Sequence, residues 1–203
     1  WYVAEGDYRD LKDECRELFL HLGQWLGWQA VLQYNGHTID LGGTWEWLRL
    51  KDAFTRYASM SLAEAIERDC FEEVLSSEVE PKLGFERPVF IYAYPKSMGS
   101  LARSSITDIG CVERFELYVA GIEIANAFGE LTDVDEQRAR FAAEQDLQQK
   151  LGHRVMPMPE KFLADLGHLP ECAGIALGLD RLIMLFCNAQ TIDEVTAFIP
   201  EEL

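Results

Sequence analysis

The chain has 203 residues, of which 48% are hydrophobic and 26% charged, enough for one domain with a sizeable core. A formal net charge of −17, with Lys and Arg scattered rather than gathered in a patch, weighs against a nucleic-acid partner for this segment. No apolar run approaches the ~18 residues of a membrane span, and no basic-then-apolar signal pattern opens the chain.

Cys15, Cys70, Cys111, Cys172 and Cys187 are odd in number, far apart and form no CxxC, so they read as free thiols in a reducing cytoplasm. His21, His37, His153 and His168 lack the spacing of a zinc site. The chain begins at Trp1 rather than Met, which reads as a chain cut from something longer or trimmed before Trp1.

In chain order, Tyr8 to Leu26 predicts an amphipathic helix with Leu11, Cys15, Leu18, Leu22, Trp25 and Leu26 on one face. "AVLQYNGHTIDL" predicts a hairpin around Asn35-Gly36. Trp45 to Leu48 adds a strand, and Leu50 to Tyr57 and Leu62 to Val79 add helices that end before Pro81 and Gly84. Pro88 to Pro95 is a buried strand bounded by prolines, and Phe115 to Phe128 a second hairpin. Asp133 and Glu136 form the D-x-x-E start of a helix that runs to about Leu151 and stops at Gly152. Pro159 opens a shorter helix to Leu166. A strand in "GIALGLDR" follows, and helices near Asp180–Cys187 and Asp193–Phe198 close the chain. Sequential hairpins favour an α+β domain, an antiparallel sheet flanked by helices, over a βαβ repeat.

Two constellations could carry chemistry. With Ala120-Gly121 at the tip of the second hairpin, Tyr118 pairs with Glu123 and Leu117 with Ile124. Glu116 and Glu123 then share a face one diagonal step apart, roughly 7–8 Å. Two carboxylates at that spacing can bracket a hydrated Mg²⁺ and its phosphates. The alternative is an amphipathic hairpin with a wet side. Asn126, Phe128 and Glu130 have the opposite parity from Glu123, so a shared site requires a bulge near Ala125–Asn126. Glu130 otherwise reads as a solvated acid at a helix N-terminus.

In the second constellation, Gly174, Ala176 and Gly178 leave one strand face nearly bare, a floor on which a flat ring can lie, with Arg181 just past it. Close helix-to-strand packing over small residues explains the same pattern.

Three stretches in this order resemble a class II aminoacyl-tRNA synthetase catalytic domain of the lysine type. "RFELYVAGIEIANAFGELTDVDEQRARF" is similar to its Glu-hairpin signature, "AGIALGLDRLIMLFCNAQTIDEV" to its third motif and "WYVAEGDYRDL" to the tail of its second motif. The likeness covers residues 1–203 as a single, N-terminally truncated catalytic domain. "VEPKLG…RPVFIYAYPKSMGSLA" and Ala176 resemble most the paralogous family that attaches (R)-β-lysine to elongation factor P.

That resemblance implies ATP and Mg²⁺ as cofactors. Glu116 and Glu123 would hold Mg²⁺ and phosphates, with Leu117 touching ATP through its neighbouring backbone. Gly178 and the catalytic Arg181 would support and cover ATP. Tyr2, Glu123, Asn126, Phe128 and Glu130 would bind the amino acid, Glu130 and Tyr2 near its side-chain ammonium.

The implied activity is activation of lysine or β-lysine as the aminoacyl-adenylate and transfer to a lysine of elongation factor P. Charging of tRNA-Lys and a non-catalytic lysine- or ATP-binding module are the alternatives. A cytoplasmic homodimer is implied for the full-length protein. Because the first motif and the second-motif arginine of the family are not in the 203 residues, the chain alone is expected to be nearly inactive. Ala127 and Gly129 replace the family's Gly and its His or Ser; a methyl at Ala127 is expected to narrow the pocket and Gly129 to widen it.

Overall fold

The computed structural model describes residues 1–28, 30–99 and 101–199, so residues 200–203 of the expected domain lie outside them. Helix α1, Tyr8–Trp25, starts where Asp7 accepts from the Arg9 N–H and Asp10 accepts from the Asp7 N–H, a reciprocal capping box. It buries Tyr8, Leu11, Cys15 and Phe19. The expected stripe is thus rotated: Phe19 takes the place of Leu18, and Trp25 and Leu26 are exposed. Burial pushes the Cys15 thiol up to about 12, so it is inert packing.

Strands β2, Val31–Tyr34, and β3, His37–Asp40, form the expected hairpin on positive-φ Asn35 and Gly36. They make a separate two-stranded sheet.

The main sheet has six strands in the order β1-β8-β7-β6-β5-β4. These are β1 (Tyr2–Ala4), β4 (Glu46–Arg49), β5 (Val89–Tyr92), β6 (Arg114–Val119), β7 (Ile122–Gly129) and β8 (Cys172–Leu177). Every pair is antiparallel except β4/β5. Between those two the chain runs through α2 (Leu50–Tyr57), α3 (Leu62–Glu67) and α4 (Phe71–Val74), the crossover a parallel pair requires.

The single helix expected over Leu62–Val79 is broken at Asp69, whose φ is 54°, and resumes as α4 and a π turn at Leu75–Val79. The helix expected at Asp193–Phe198 is a single 3₁₀ turn, Ile192–Val195. Helices α5 (Val134–Lys150) and α6 (Glu160–Leu166) meet through Phe141 and Phe162. Asp133 caps α5, but Glu136 turns instead to Arg140 and Lys96. Helix α7, Leu179–Cys187, follows β8 directly. Among the described residues no helix is long and apolar enough to cross a membrane.

The sheet divides two cores. Phe115, Leu117, Val119, Ala125, Ala127 and Ile175 face α1, the small hairpin and α7. On the other face Leu48, Val89 and Ile91 pack under α2–α4. Beyond β6 that second face opens: Asn126 and Phe128 are partly exposed, and Ala176 and Tyr2 exposed. The strand of small residues therefore borders an open surface.

Gly84 (φ 77°) holds the β6–β7 turn, its carbonyl accepting from the Ala120 N–H. A Cβ there would lie 2.6 Å from the Tyr118 carbonyl oxygen. Gly84→Ala should destabilise the chain by about 1–3 kcal/mol in urea unfolding, because backbone must move to admit it; an unchanged midpoint would contradict this packing.

Candidate active site on the open sheet face

A β-bulge builds the site. The ladder runs Val119↔Ile122 and Tyr118↔Glu123, then Leu117↔Ala125, so Ile124 is the extra residue. The expected pairing of Leu117 with Ile124 is therefore replaced. The physical reason is burial: Ile124 and Ala125, though consecutive, both enter the core beneath. The alternation resets, and Glu123 before the bulge shares a face with Asn126, Phe128 and Glu130 after it. The bulge expected near Ala125–Asn126 is centred on Ile124.

Register then lays the residues in rows across the open face. Tyr2, Gly174, Phe128 and Arg114 form one row, and Ala176, Asn126 and Glu116 the next. The bare strand has two parts. A Cβ on Gly174 would collide with the Glu130 carboxylate and the Tyr2 ring, so that glycine is already covered. Ala176 and Gly178 border an open cleft of about 340 Å³ with Glu123, Asn126 and Arg181. The floor is thus shorter than the sequence pattern implied. Gly178 is the N-cap of α7, its N–H donating to the Ile124 carbonyl, and the Arg181 side chain lies against it.

Arg181 donates to the Glu123 carbonyl at 2.7 Å and pairs with Glu123 Oε2 at 3.3 Å. Burial first, and then Glu116, push the Glu123 carboxyl up, against the pull of Arg181. Leu117 is fully buried and faces the other core, so only its backbone adjoins this face.

Glu116 is 5% exposed and receives four donors. Arg114 (2.5 Å) and Asn126 (3.3 Å) reach Oε1; Tyr94 (2.5 Å) and Tyr118 (2.7 Å) reach Oε2. Arg114 lies 4.3 Å from the Tyr94 ring centroid and also donates to the Met98 carbonyl at 2.9 Å. A carboxylate offers about four lone-pair positions, and here all four are taken. Mg²⁺ fits Glu123, which is half-buried and, among the described residues, has one oxygen free of protein donors. It does not fit Glu116 as held, and among the described residues no three His, Cys, Asp or Glu side chains converge on a metal position. The expected Glu116–Glu123 metal pair is therefore unequal.

At the other end, Glu130 lines a cavity of about 220 Å³ with Tyr2, Leu101, Gln137 and Phe162. It is half-buried, and burial alone raises its carboxyl. No salt bridge reaches it among the described residues. The reading of Glu130 as a solvated helix-terminal acid gives way to an acid facing a pocket.

Ala127 is fully buried among Phe115 and Ile175 on the opposite face, so its methyl does not narrow the pocket. Nor does Gly129 widen it: the space a Cβ would take is filled by the Arg103–Glu113 ion pair (2.5 Å). Arg114, Tyr94 and Tyr118 are site residues that sequence reasoning missed. Arg114 carried a signal, standing two residues before Glu116 on the same strand face. Tyr94 comes from the neighbouring strand region and carried none.

The family model for class II tRNA synthetases (D, K and N) matches residues 7–202. The chain is 39% identical over 208 residues to an elongation factor P–(R)-β-lysine ligase of Hamiltonella defensa, covering 98% of this chain and 63% of that protein. It is 48% identical over 136 residues to the ligase of that name from Pectobacterium carotovorum, covering 65% and 41%. A lysine–tRNA ligase of Shewanella loihica is 33% identical over 227 residues, covering 98% and 45%. The chain thus spans less than two thirds of the length of these relatives.

An acid whose folded pKa is raised binds more protons folded than unfolded, so stability falls as pH rises through the range above the ordinary carboxylate pKa. For Glu130 this predicts that Glu130→Gln is more stable than the parent at neutral pH. The advantage disappears below the ordinary carboxylate range. Urea unfolding across pH checks this; parallel curves would contradict an unpaired Glu130.

Proposed function

The chain belongs to the class II tRNA synthetases (D, K and N), and from that membership we propose that its open face activates lysine or (R)-β-lysine with ATP and passes the acyl group to a lysine of elongation factor P. The observation that carries this reading is Glu130: a half-buried carboxylate without a cationic partner among the described residues, beside Tyr2 and over Gly174. Such a group fits the ammonium of a lysine side chain, which needs a carboxylate once it leaves water. Asn126 and Glu130 lie four residues apart on one strand face, roughly 13 Å at ~3.3 Å per residue. Phe128 between them supplies an apolar wall for methylenes.

At the other end, Ala176 and Gly178 leave room for a nucleotide, and Arg181 stands beside it with a guanidinium suited to phosphate oxygens. Glu123 would hold Mg²⁺, which when bound neutralises phosphate charge. The amino-acid carboxylate oxygen forms a bond to the α-phosphorus, the α–β phosphoanhydride bond breaks, and pyrophosphate leaves. The chain's part in this is positioning and charge stabilisation, and no acid–base pair is needed.

Identities of 39% and 48% to ligases for elongation factor P, against 33% to a lysine–tRNA ligase, favour the protein acceptor. So does the net charge of −17, which repels tRNA phosphates but not a protein lysine. A cytoplasmic homodimer fits the same family reading.

The test uses the longest polypeptide that its gene encodes. ATP–pyrophosphate exchange with α-lysine and (R)-β-lysine is followed by transfer to elongation factor P or tRNA-Lys. Exchange with (R)-β-lysine and transfer to elongation factor P are expected, and Arg181→Ala should cost about 10²–10³ in rate. Charging of tRNA-Lys in place of elongation factor P would overturn the acceptor, and undiminished exchange in Arg181→Ala would overturn the role of Arg181.

A further inference from the structure

We propose that Gln137 is a positioning residue of the Glu130 cavity: with Glu130 it holds one water, to which its amide donates, and that water completes the shell of the substrate's side-chain ammonium. The water site stands on the unpaired groups of the cavity; the effect on substrate rests on the proposed function.

Gln137 is an unusual residue for its place. It sits in the first turns of α5, its backbone N–H donating to the carbonyl of the cap residue Asp133. It is the residue of α5 that is buried, at 1% exposure. Packing alone is served better by leucine or methionine, which fill such a space with no polar atom to strand. The Gln137 Nε2 is stranded: it is buried and has no hydrogen-bond partner among the described residues. Buried side-chain nitrogens in folded proteins are nearly always paired, with protein or with ordered water.

The cavity supplies the complement. Gln137 and Glu130 line one space of about 220 Å³, walled by Leu101, Leu131, Phe162 and Leu166. Burial acts alone on the Glu130 carboxyl, with no donor or cation beside it among the described residues. A donor without an acceptor and an acceptor without a donor therefore share a cavity and do not meet directly. An ammonium cannot satisfy both, because it only donates. The missing group must accept from the amide and donate to the carboxylate. Neither lysine nor (R)-β-lysine has a side-chain hydroxyl to do this, so the group is water. The space is polar at two points and far exceeds the roughly 15 Å³ that one water needs.

The consequence reaches the substrate through the second lone pair of that water. An ammonium has three N–H donors. Glu130 accepts from it directly, and the water anchored on Gln137 accepts another hydrogen. A bridge of this kind is nearly as favourable as a direct hydrogen bond. A side chain that ends in a methyl group gains nothing from it, so the contribution of Gln137 is confined to substrates that carry the ammonium.

A high-resolution crystal structure of the unliganded protein, made as the longest polypeptide that its gene encodes, reads the site directly. A water within about 3.2 Å of both the Gln137 amide nitrogen and a Glu130 oxygen is expected. A site without it, or an amide bonded to protein groups alone, would overturn the proposal. In ATP–pyrophosphate exchange, Gln137→Met should raise the KM for lysine or (R)-β-lysine about tenfold, the value of one hydrogen bond, with kcat little changed. The kcat/KM for norleucine, which has no ammonium, should stay at the parent's value. A merely structural Gln137 would move both amino acids together; that result, or an unchanged lysine KM, would overturn the positioning role. Gln137→Leu replaces the methionine variant if that does not fold, and the crystal structure of the parent needs neither. If the parent exchanges neither lysine, the functional reading fails, while the water still upholds the bridge between Gln137 and Glu130.

Discussion

One extra residue in one strand organises this protein. Ile124 has no partner across the β6–β7 ladder, and its side chain joins that of Ala125 in the core. Without the bulge, strand alternation would send Asn126, Phe128 and Glu130 into that core whenever Glu123 faced outward. With it, four residues of one strand address one open surface. Small residues on β8 keep the surface accessible, and Gly174 admits Tyr2 and Glu130 where no side chain of its own could fit. The chemistry of the site is thus set by backbone register before any side chain is considered.

A second constraint is the buried charge of Glu116. Four donors converge on it from two strands, β6 and β7, and from the segment after β5, and Arg114 lies over the Tyr94 and Phe128 rings. A buried carboxylate tolerates the interior only with such partners. The network divides labour between the two glutamates of the hairpin. Glu116 is buried with its hydrogen-bonding positions filled, while Glu123 is half-buried beside Arg181. Rigid support behind an accessible group is what a positioning-based reaction requires.

Much of this was legible in the sequence, for physical reasons that differ by element. The Asn35-Gly36 turn and the second hairpin announced themselves through local turn chemistry. The need for a bulge followed from parity alone, since Glu123 and Asn126 cannot share a face on a regular strand. What was illegible depended on contacts between distant segments. The parallel β4/β5 pair arises from a crossover that no local pattern encodes. Gly129 looked like a widened pocket because nothing nearby in sequence shows that Arg103 and Glu113 fill the space. Glu116 read as an open metal ligand because Tyr94 lies 22 residues away on the chain. The break at Asp69 shows the same limit in a helix: apolar spacing continued through it while the backbone did not.

On the proposed reading, this face recognises an amino acid by the ammonium at the end of its side chain. ATP–pyrophosphate exchange with lysine and with norleucine, which has the same methylene chain and no ammonium, tests it most directly. A site that leaves Glu130 unpaired without that ammonium should reject norleucine by at least about 100-fold in kcat/KM. Norleucine accepted as well as lysine would contradict the account.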